Sequence, residues 1–281
     1  MRAEKVRAAP VAAARSVLIF LHIPKTAGST LTLVLSRQYP PEATFLTGGP
    51  RRPGLEQLEA LPMTERARFD CLAGHMRFGV HRLLPGPSRY ITMVRDPVAR
   101  VVSAYYYIRG FPEHPVHERI VRDGLSLEQY ACLGPSDEQV RILSGDPGGP
   151  ATRAMLEQAR RNIEEHFVAV GLTERFEEFM LLLRRLLGWR RVYFRPRNVT
   201  PVRPNHDTLP PSVIATIEEH NRLDRELYRF ATQAFERALH EQGIGRTEVL
   251  RFKICNRLHR VMTGAAQRAR VVGWRDGRAR S

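Results

Sequence analysis

The feature that most constrains the fold is one pattern used twice. From Val17 the chain reads VLIFLHIPKTAGSTLTLVL, and from Arg89 it reads RYITMVRDPVARVVSAYYYIRG. In each, a short apolar run leads through a polar turn into a helical pattern. An apolar run of strand length without alternation suits a strand covered on both faces, the situation of a parallel sheet. Similar runs predict strands at Val17 to Ile23, Phe69 to Ala73, Tyr90 to Val94, Phe167 to Gly171 and Arg191 to Phe194. Helical spacing fits Thr30 to Gln38, Val98 to Ile108, Leu125 to Cys132, Ala151 to His166, Glu174 to Leu187 and Ser212 to Gln242. The alternation predicts an α/β fold with a central parallel sheet of about five strands flanked by helices. Segments rich in Pro and Gly, such as Pro40 to Gly54 and Arg195 to Pro211, read as loops within one domain.

The chain has 281 residues with 43% hydrophobic and 26% charged side chains, enough apolar content for a sizeable core. Lys and Arg exceed Asp and Glu by 15, which calls for an anionic partner. The excess is concentrated at the ends. Residues 246–281 hold nine Arg and one Lys against Glu248 and Asp276, a net of +8, and residues 1–16 add +3. This divides the chain into a basic extension over 1–16, a domain over 17–245 and a basic helix and tail over 246–281. In the last, Val249, Leu250, Ile254, Leu258 and Val261 recur at helical spacing among arginines. Two readings stay open there: a packed helix with a solvated basic end, or contact with a membrane surface or polyanion. Cys71, Cys132 and Cys255 lack metal-site spacing and read as reduced thiols. With no recognisable signal or spanning segment, the expected location is the cytoplasm, with peripheral contact at the inner membrane face left open.

The first strand-turn-helix unit has the chemistry of a phosphate cradle. Gly28 permits close backbone approach, the helix start offers N–H groups, Ser29 and Thr30 add hydroxyls, and Lys25 adds a mobile charge. The lysine precedes the glycine, so this is not a Walker A sequence. In the second unit Arg95 ends the strand, and Ser103, eight residues on, returns to the helix face near its start. Guanidinium and hydroxyl together suit a second phosphate, whereas a pair between Arg95 and Asp96 is the competing reading. His75, after an apolar strand and Gly74, stands at a third strand end.

HIPKTAGST and RDPVARVVSAYYY together resemble the sulfotransferases that use 3′-phosphoadenosine 5′-phosphosulfate (PAPS), in the branch of the heparan sulfate and uronyl 2-O-sulfotransferases. AGHMRFG, VGLTERFEEF and NVTPVRPN follow the branch pattern, and the likeness runs from about Val17 to about Leu239. It implies a three-layer P-loop-like fold, PAPS as donor with 3′,5′-ADP as product, no metal, and a carbohydrate or polysaccharide acceptor rather than nucleic acid. By the same resemblance, Lys25, Thr26, Ala27, Gly28, Ser29 and Thr30 hold the 5′-phosphosulfate. Arg95 and Ser103 hold the 3′-phosphate, Arg203 and Asn205 close over the nucleotide, and His75 is the base. Acceptor contacts are expected from Arg109, Arg77 and His22, with Arg82, His114 and Arg141 as further loop candidates. Ala73 and His22 stand where the heparan enzymes carry a histidine and a basic residue, so the likeness supports the transfer chemistry more than a glycosaminoglycan acceptor. The competing functions are a phosphotransferase with Asp96 holding magnesium, and a binding protein driven by the basic tail.

Overall fold

A computed structural model describes residues 16–48, 52–146, 148–197 and 208–278. The strands are β1 (Val17–Leu21), β2 (Thr44–Thr47), β3 (Cys71–Gly74), β4 (Ser88–Val94) and β5 (Phe167–Leu172). The helices up to β5 are α1 (Gly28–Leu35), α2 (Leu55–Ala60), α3 (Met63–Arg66), α4 (Pro97–Arg109), α5 (His117–Val121), α6 (Leu127–Leu133), α7 (Glu138–Ser144) and α8 (Arg153–His166). After β5 come α9 (Phe176–Leu187), α10 (Pro211–His220), α11 (Arg222–Glu241) and α12 (Arg246–Arg278), whose side chains are described as far as Thr263.

The strands form one parallel sheet in the order β2-β3-β1-β4-β5. Every residue of β1 is buried, on both faces of the sheet, so helices cover it on either side. This is the layered α/β architecture expected from the alternation of runs. A second apolar cluster, from Val98, Val101, Tyr105 and Ile108 to Ile120, Tyr130 and Ile217, seats α4 against α5, α6 and α10.

Three boundaries differ from the expected ones. Arg191 to Phe194 is not a strand. Its carbonyls at Arg191 and Tyr193 accept from Gln38 and Arg37, and the Phe194 N–H donates to Asn256 Oδ1, so side chains satisfy this backbone in place of a ladder. The fifth strand is instead the short β2, at the sheet edge inside a segment read as loop. The long helix expected over Ser212 to Gln242 breaks at Asn221, whose Nδ2 donates to the Ile217 carbonyl while its Oδ1 accepts from the Asp137 N–H.

Gly74 closes β3 at φ +144°, and a Cβ there would lie 1.9 Å from the Thr47 carbonyl oxygen of β2. Gly74→Ala should therefore destabilise the fold by about 2–4 kcal/mol, read from the denaturant midpoint. Gly243→Ala, at φ +63° with open space around it, should lose only about 1–2 kcal/mol.

Candidate active site

The site begins with register. Leu21, the last residue of β1, pairs with Gly74 of β3 on one side and Thr92 of β4 on the other. The Thr92 hydroxyl donates to the Leu21 carbonyl at 2.7 Å, and the His22 N–H donates to the Gly74 carbonyl at 2.9 Å. Strand order also reverses at β1, since β2 and β3 lie to one side and β4 and β5 to the other. A crevice at such a switch point collects the loops beyond the carboxyl ends of the strands. His22 to Lys25, His75 and Arg95 thus leave the sheet side by side.

Beyond β1 the chain is wound unusually tightly. Lys25 at φ +67° and Ala27 at φ +62° both sit in the left-handed region, which alternates the backbone into an anion-binding concavity. Thr26 between them is buried, and its hydroxyl donates to the Ile23 carbonyl at 2.8 Å. The Thr26 hydroxyl thus gives its one proton to the loop itself. Ala27 takes the N-cap position of α1 without a capping side chain, and its carbonyl accepts the Thr30 N–H at 3.0 Å. Gly28 is required for packing. A Cβ there would come within 1.9 Å of the His22 ring. The Lys25 ammonium lies over the Tyr107 ring, 3.5 Å from its centroid.

Beyond β4, Arg95 is buried, and its guanidinium donates to the Lys25 carbonyl at 3.0 Å and pairs with Glu174 at 3.8 Å. The Asp96 carboxylate accepts from the Ala99 N–H and caps α4. Gln139 grips the Arg95 backbone in both directions, accepting from its N–H and donating to its carbonyl, each at 2.9 Å. Gln139 is placed in turn by Asp224 of α11, which accepts from the N–H groups of Gln139 and Val140 at the start of α7. Burial pushes the Asp224 carboxyl up to about 6, with Arg100 beside it and these N–H groups pulling it back down. It is ionised at neutral pH.

His75 lies beyond β3 with its ring stacked on His22, centroids 4.3 Å apart. Its Nδ1 is 3.2 Å from the His22 carbonyl oxygen. A carbonyl only accepts, so this contact places the proton on Nδ1 and leaves Nε2 with its lone pair. Desolvation by the surrounding walls holds His75 below the usual histidine pKa, against the opposite pull of the His22 carbonyl and Glu138. His22 is brought down to about 3, first by burial and then by the charges of His75, Lys25 and Arg52. Both rings are neutral at pH 7.

A cavity of about 300 Å³ gathers Lys25, Ala27, Gly28, Ser29, Thr30, Arg95 and Ser103 with Tyr107, Thr173 and Arg197. The expected anion-facing residues thus come together, apart from the inward Thr26, and Arg203 and Asn205, which lie outside the described residues. Thr30 also accepts the Arg197 N–H at 3.0 Å, tying the segment before that late loop to α1. A second cleft, of about 730 Å³, is lined by Arg77, Arg82, Arg141, Glu59, Glu138 and an apolar floor including Met76 and Phe78. Arg77 belongs to its wall and donates to the Asp146 carbonyl at 2.9 Å. His22 and His75 line both cavities.

Arg109 is not brought to either. Ser103 and Tyr107 share the site-facing side of α4 at i and i+4, and Arg109 lies two residues further, about 200° round the helix and exposed. His114 accepts from the Val116 N–H, and His81 meets the Tyr90 hydroxyl at 2.8 Å, so both have structural work. Gln139, Glu174 and Tyr107 were not read from the sequence. Tyr107 alone had a local signal, its i+4 spacing from Ser103; Gln139 reaches Arg95 from 44 residues away.

A cradle past β1, with a histidine past β3 on one side and a guanidinium with a hydroxyl past β4 on the other, makes an α/β site suited to a phosphorylated ligand. The chain belongs to the sulfotransferase family, whose family model matches residues 11–231. It is 28% identical over 266 residues to galactose-3-O-sulfotransferase 3 of Mus musculus, an alignment covering 85% of this chain and 60% of that protein. Heparin sulfate O-sulfotransferase of Drosophila melanogaster is 29% identical over 168 residues, covering 52% of this chain and 48% of its own. Heparan sulfate 2-O-sulfotransferase 1 of Gallus gallus is 28% identical over 167 residues, covering 52% and 47%. The chain thus spans about 60% of the first of these relatives and about half of the others. The likeness to the 2-O branch is borne out, and galactose-3-O-sulfotransferases stand beside it. A mouse sulfotransferase solved in complex with PAP aligns over 85% of this chain and 88% of its own at 14% identity and a TM-score of 0.38, too loose a likeness to build on.

Gln139→Leu keeps the side-chain volume but leaves the buried N–H and carbonyl of Arg95 without their partner. It should destabilise the protein by about 2–4 kcal/mol in urea denaturation, well above an exposed Gln substitution such as Gln57→Leu.

Proposed function

We propose that the protein transfers a sulfuryl group from PAPS to a hydroxyl of a carbohydrate acceptor and releases 3′,5′-ADP. The observation that carries this reading is His75, which lines both the anion-suited cavity and the larger cleft beside it. Transfer between two substrates needs such a boundary. The smaller cavity fits a nucleotide phosphorylated at both ends, because the uncapped start of α1 and the pair Arg95 and Ser103 lie on different strand ends.

In the proposed step the acceptor oxygen forms a bond to sulfur as the bond between sulfur and the bridging phosphate oxygen breaks. The acceptor proton passes to Nε2 of His75, the nitrogen left unprotonated by the contact with the His22 carbonyl. Negative charge gathering on the departing bridging oxygen is met by Lys25 and the N–H groups at the head of α1. Lys25 leaves the face of Tyr107 to do so, and Tyr107 keeps the ammonium near its target beforehand. Galactose-3-O- and heparan sulfate 2-O-sulfotransferases among the relatives support a sugar hydroxyl as acceptor. The phosphotransferase reading needs Asp96 for magnesium, and the use of that carboxylate to cap α4 weighs against it.

Calorimetric titration with 3′,5′-ADP in EDTA tests the donor site. Binding without metal is expected, with Arg95→Ala weaker by about tenfold to a hundredfold. Binding of ATP alone, and only with magnesium, would sink the proposal. Given PAPS and an accepted sugar, His75→Ala should lower kcat by a factor on the order of a hundred to ten thousand. Because the folded protein holds His75 below its ordinary pKa of about 6.5, wild-type kcat/KM, which reports the free enzyme, should hold up as pH drops toward that value. It should then fall about tenfold per unit below the folded pKa, a limb missing from His75→Ala. A pH profile unchanged by His75→Ala would remove the base from the mechanism.

A further inference from the structure

The two readings of the carboxyl-terminal helix can be separated by its faces. Val249 packs on the core, Phe252 and Asn256 are buried, and Arg260 lies 5.1 Å from the Phe194 ring centroid. Asn256 accepts from the Phe194 N–H, while Glu248 pairs with Arg184 and Arg185 of α9. That face fastens α12 to the body. Leu250, Ile254, Leu258, Val261 and Met262 take no part in it, and each is more than half exposed. At 100° per residue they fall within an arc of about 120°, opposite the packed face. They account for five of the eight large hydrophobic side chains exposed among the described residues. Arg246, Lys253 and Arg257, also exposed, border the stripe along one edge, and exposed Arg251 lies within the arc between Leu258 and Met262.

We propose that this face of α12 docks on an anionic lipid bilayer, the helix lying in the plane of the surface. An apolar stripe of Leu, Ile, Val and Met bordered by cations, with the long Arg251 side chain able to reach from it to the headgroups, is the pattern of an interfacial helix. Residues 246–281 carry a net +8, which an anionic surface attracts at about 1 kcal/mol per basic residue. A second copy of the chain would cover the stripe but bring two such charges together, and a polyanion would use the charge but leave the stripe in water. A bilayer satisfies both. No described helix is long and apolar enough to cross a membrane, so contact through α12 is with the surface.

The test is co-flotation of the full chain with phosphatidylcholine vesicles and with vesicles of phosphatidylcholine and phosphatidylglycerol. The protein should partition onto the anionic vesicles and release progressively with salt. Lys253→Gln with Arg257→Gln should weaken binding by about fivefold for each charge removed. Leu250→Gln, Ile254→Gln and Leu258→Gln together should weaken it by about tenfold or more, with an unchanged unfolding midpoint because these side chains are exposed. An environment-sensitive dye on Leu258→Cys, otherwise wild type, should shift to the blue with anionic vesicles. Absence of flotation, binding that the Gln triple leaves intact, or a dimer that the triple dissociates with no vesicle binding would each overturn the proposal. The last would assign the stripe to a second copy.

Discussion

The pairing of β1 between β3 and β4 is the constraint on which the site depends. Hydrogen bonding in a parallel ladder fixes where each strand ends relative to its neighbours, and here Leu21, Gly74 and Thr92 end in one row. Lys25, His75 and Arg95 each lie within four residues of that row, so no long loop must be ordered to bring these three together. Burial of β1 on both faces makes the register hard to slip, because a one-residue shift would exchange side chains between two packed layers and mismatch both.

A second level of placement acts through buried polar groups. The carboxylate of Asp224 caps α7, α7 carries Gln139, and Gln139 holds the backbone of Arg95 from both sides. Asn221, which interrupts the helix before Asp224, accepts from the Asp137 N–H, and Asp137 accepts from the Asp224 N–H. The break between α10 and α11 is thus part of the same network. A straight helix there would remove the turn that lets Asp224 meet the start of α7.

The parallel sheet and the two strand-turn-helix units were legible in the sequence because apolar runs and turn chemistry are local signals. Lys25, Gly28, His75 and Arg95 could be singled out for the same reason, each standing just past a readable strand. What was not legible is long-range. The backbone at Arg191 to Phe194 has a strand's composition but is held by Arg37 and Gln38, just past α1, and by Asn256 of α12. β2 has four residues between prolines and glycines, too few for a period to show. Arg109, an acceptor contact expected from the resemblance, lies about 200° round α4 from Tyr107 and lines neither cavity described above. In α12 one apolar pattern contained two faces, and only packing separates Val249, which is half-buried, from Leu250, which is not.

The contact between Gly28 and the His22 ring reaches further than the loop it shapes. His22 is wedged between Phe20, His75 and the backbone at Gly28, so positions 22, 28 and 75 form a three-way lock linking two different strand ends. A side chain at position 28 displaces the His22 ring and, through the stack, bears on His75. The anion cradle and the histidine can therefore drift in sequence only as a set, and single-site libraries built over this region will undercount the combinations that work.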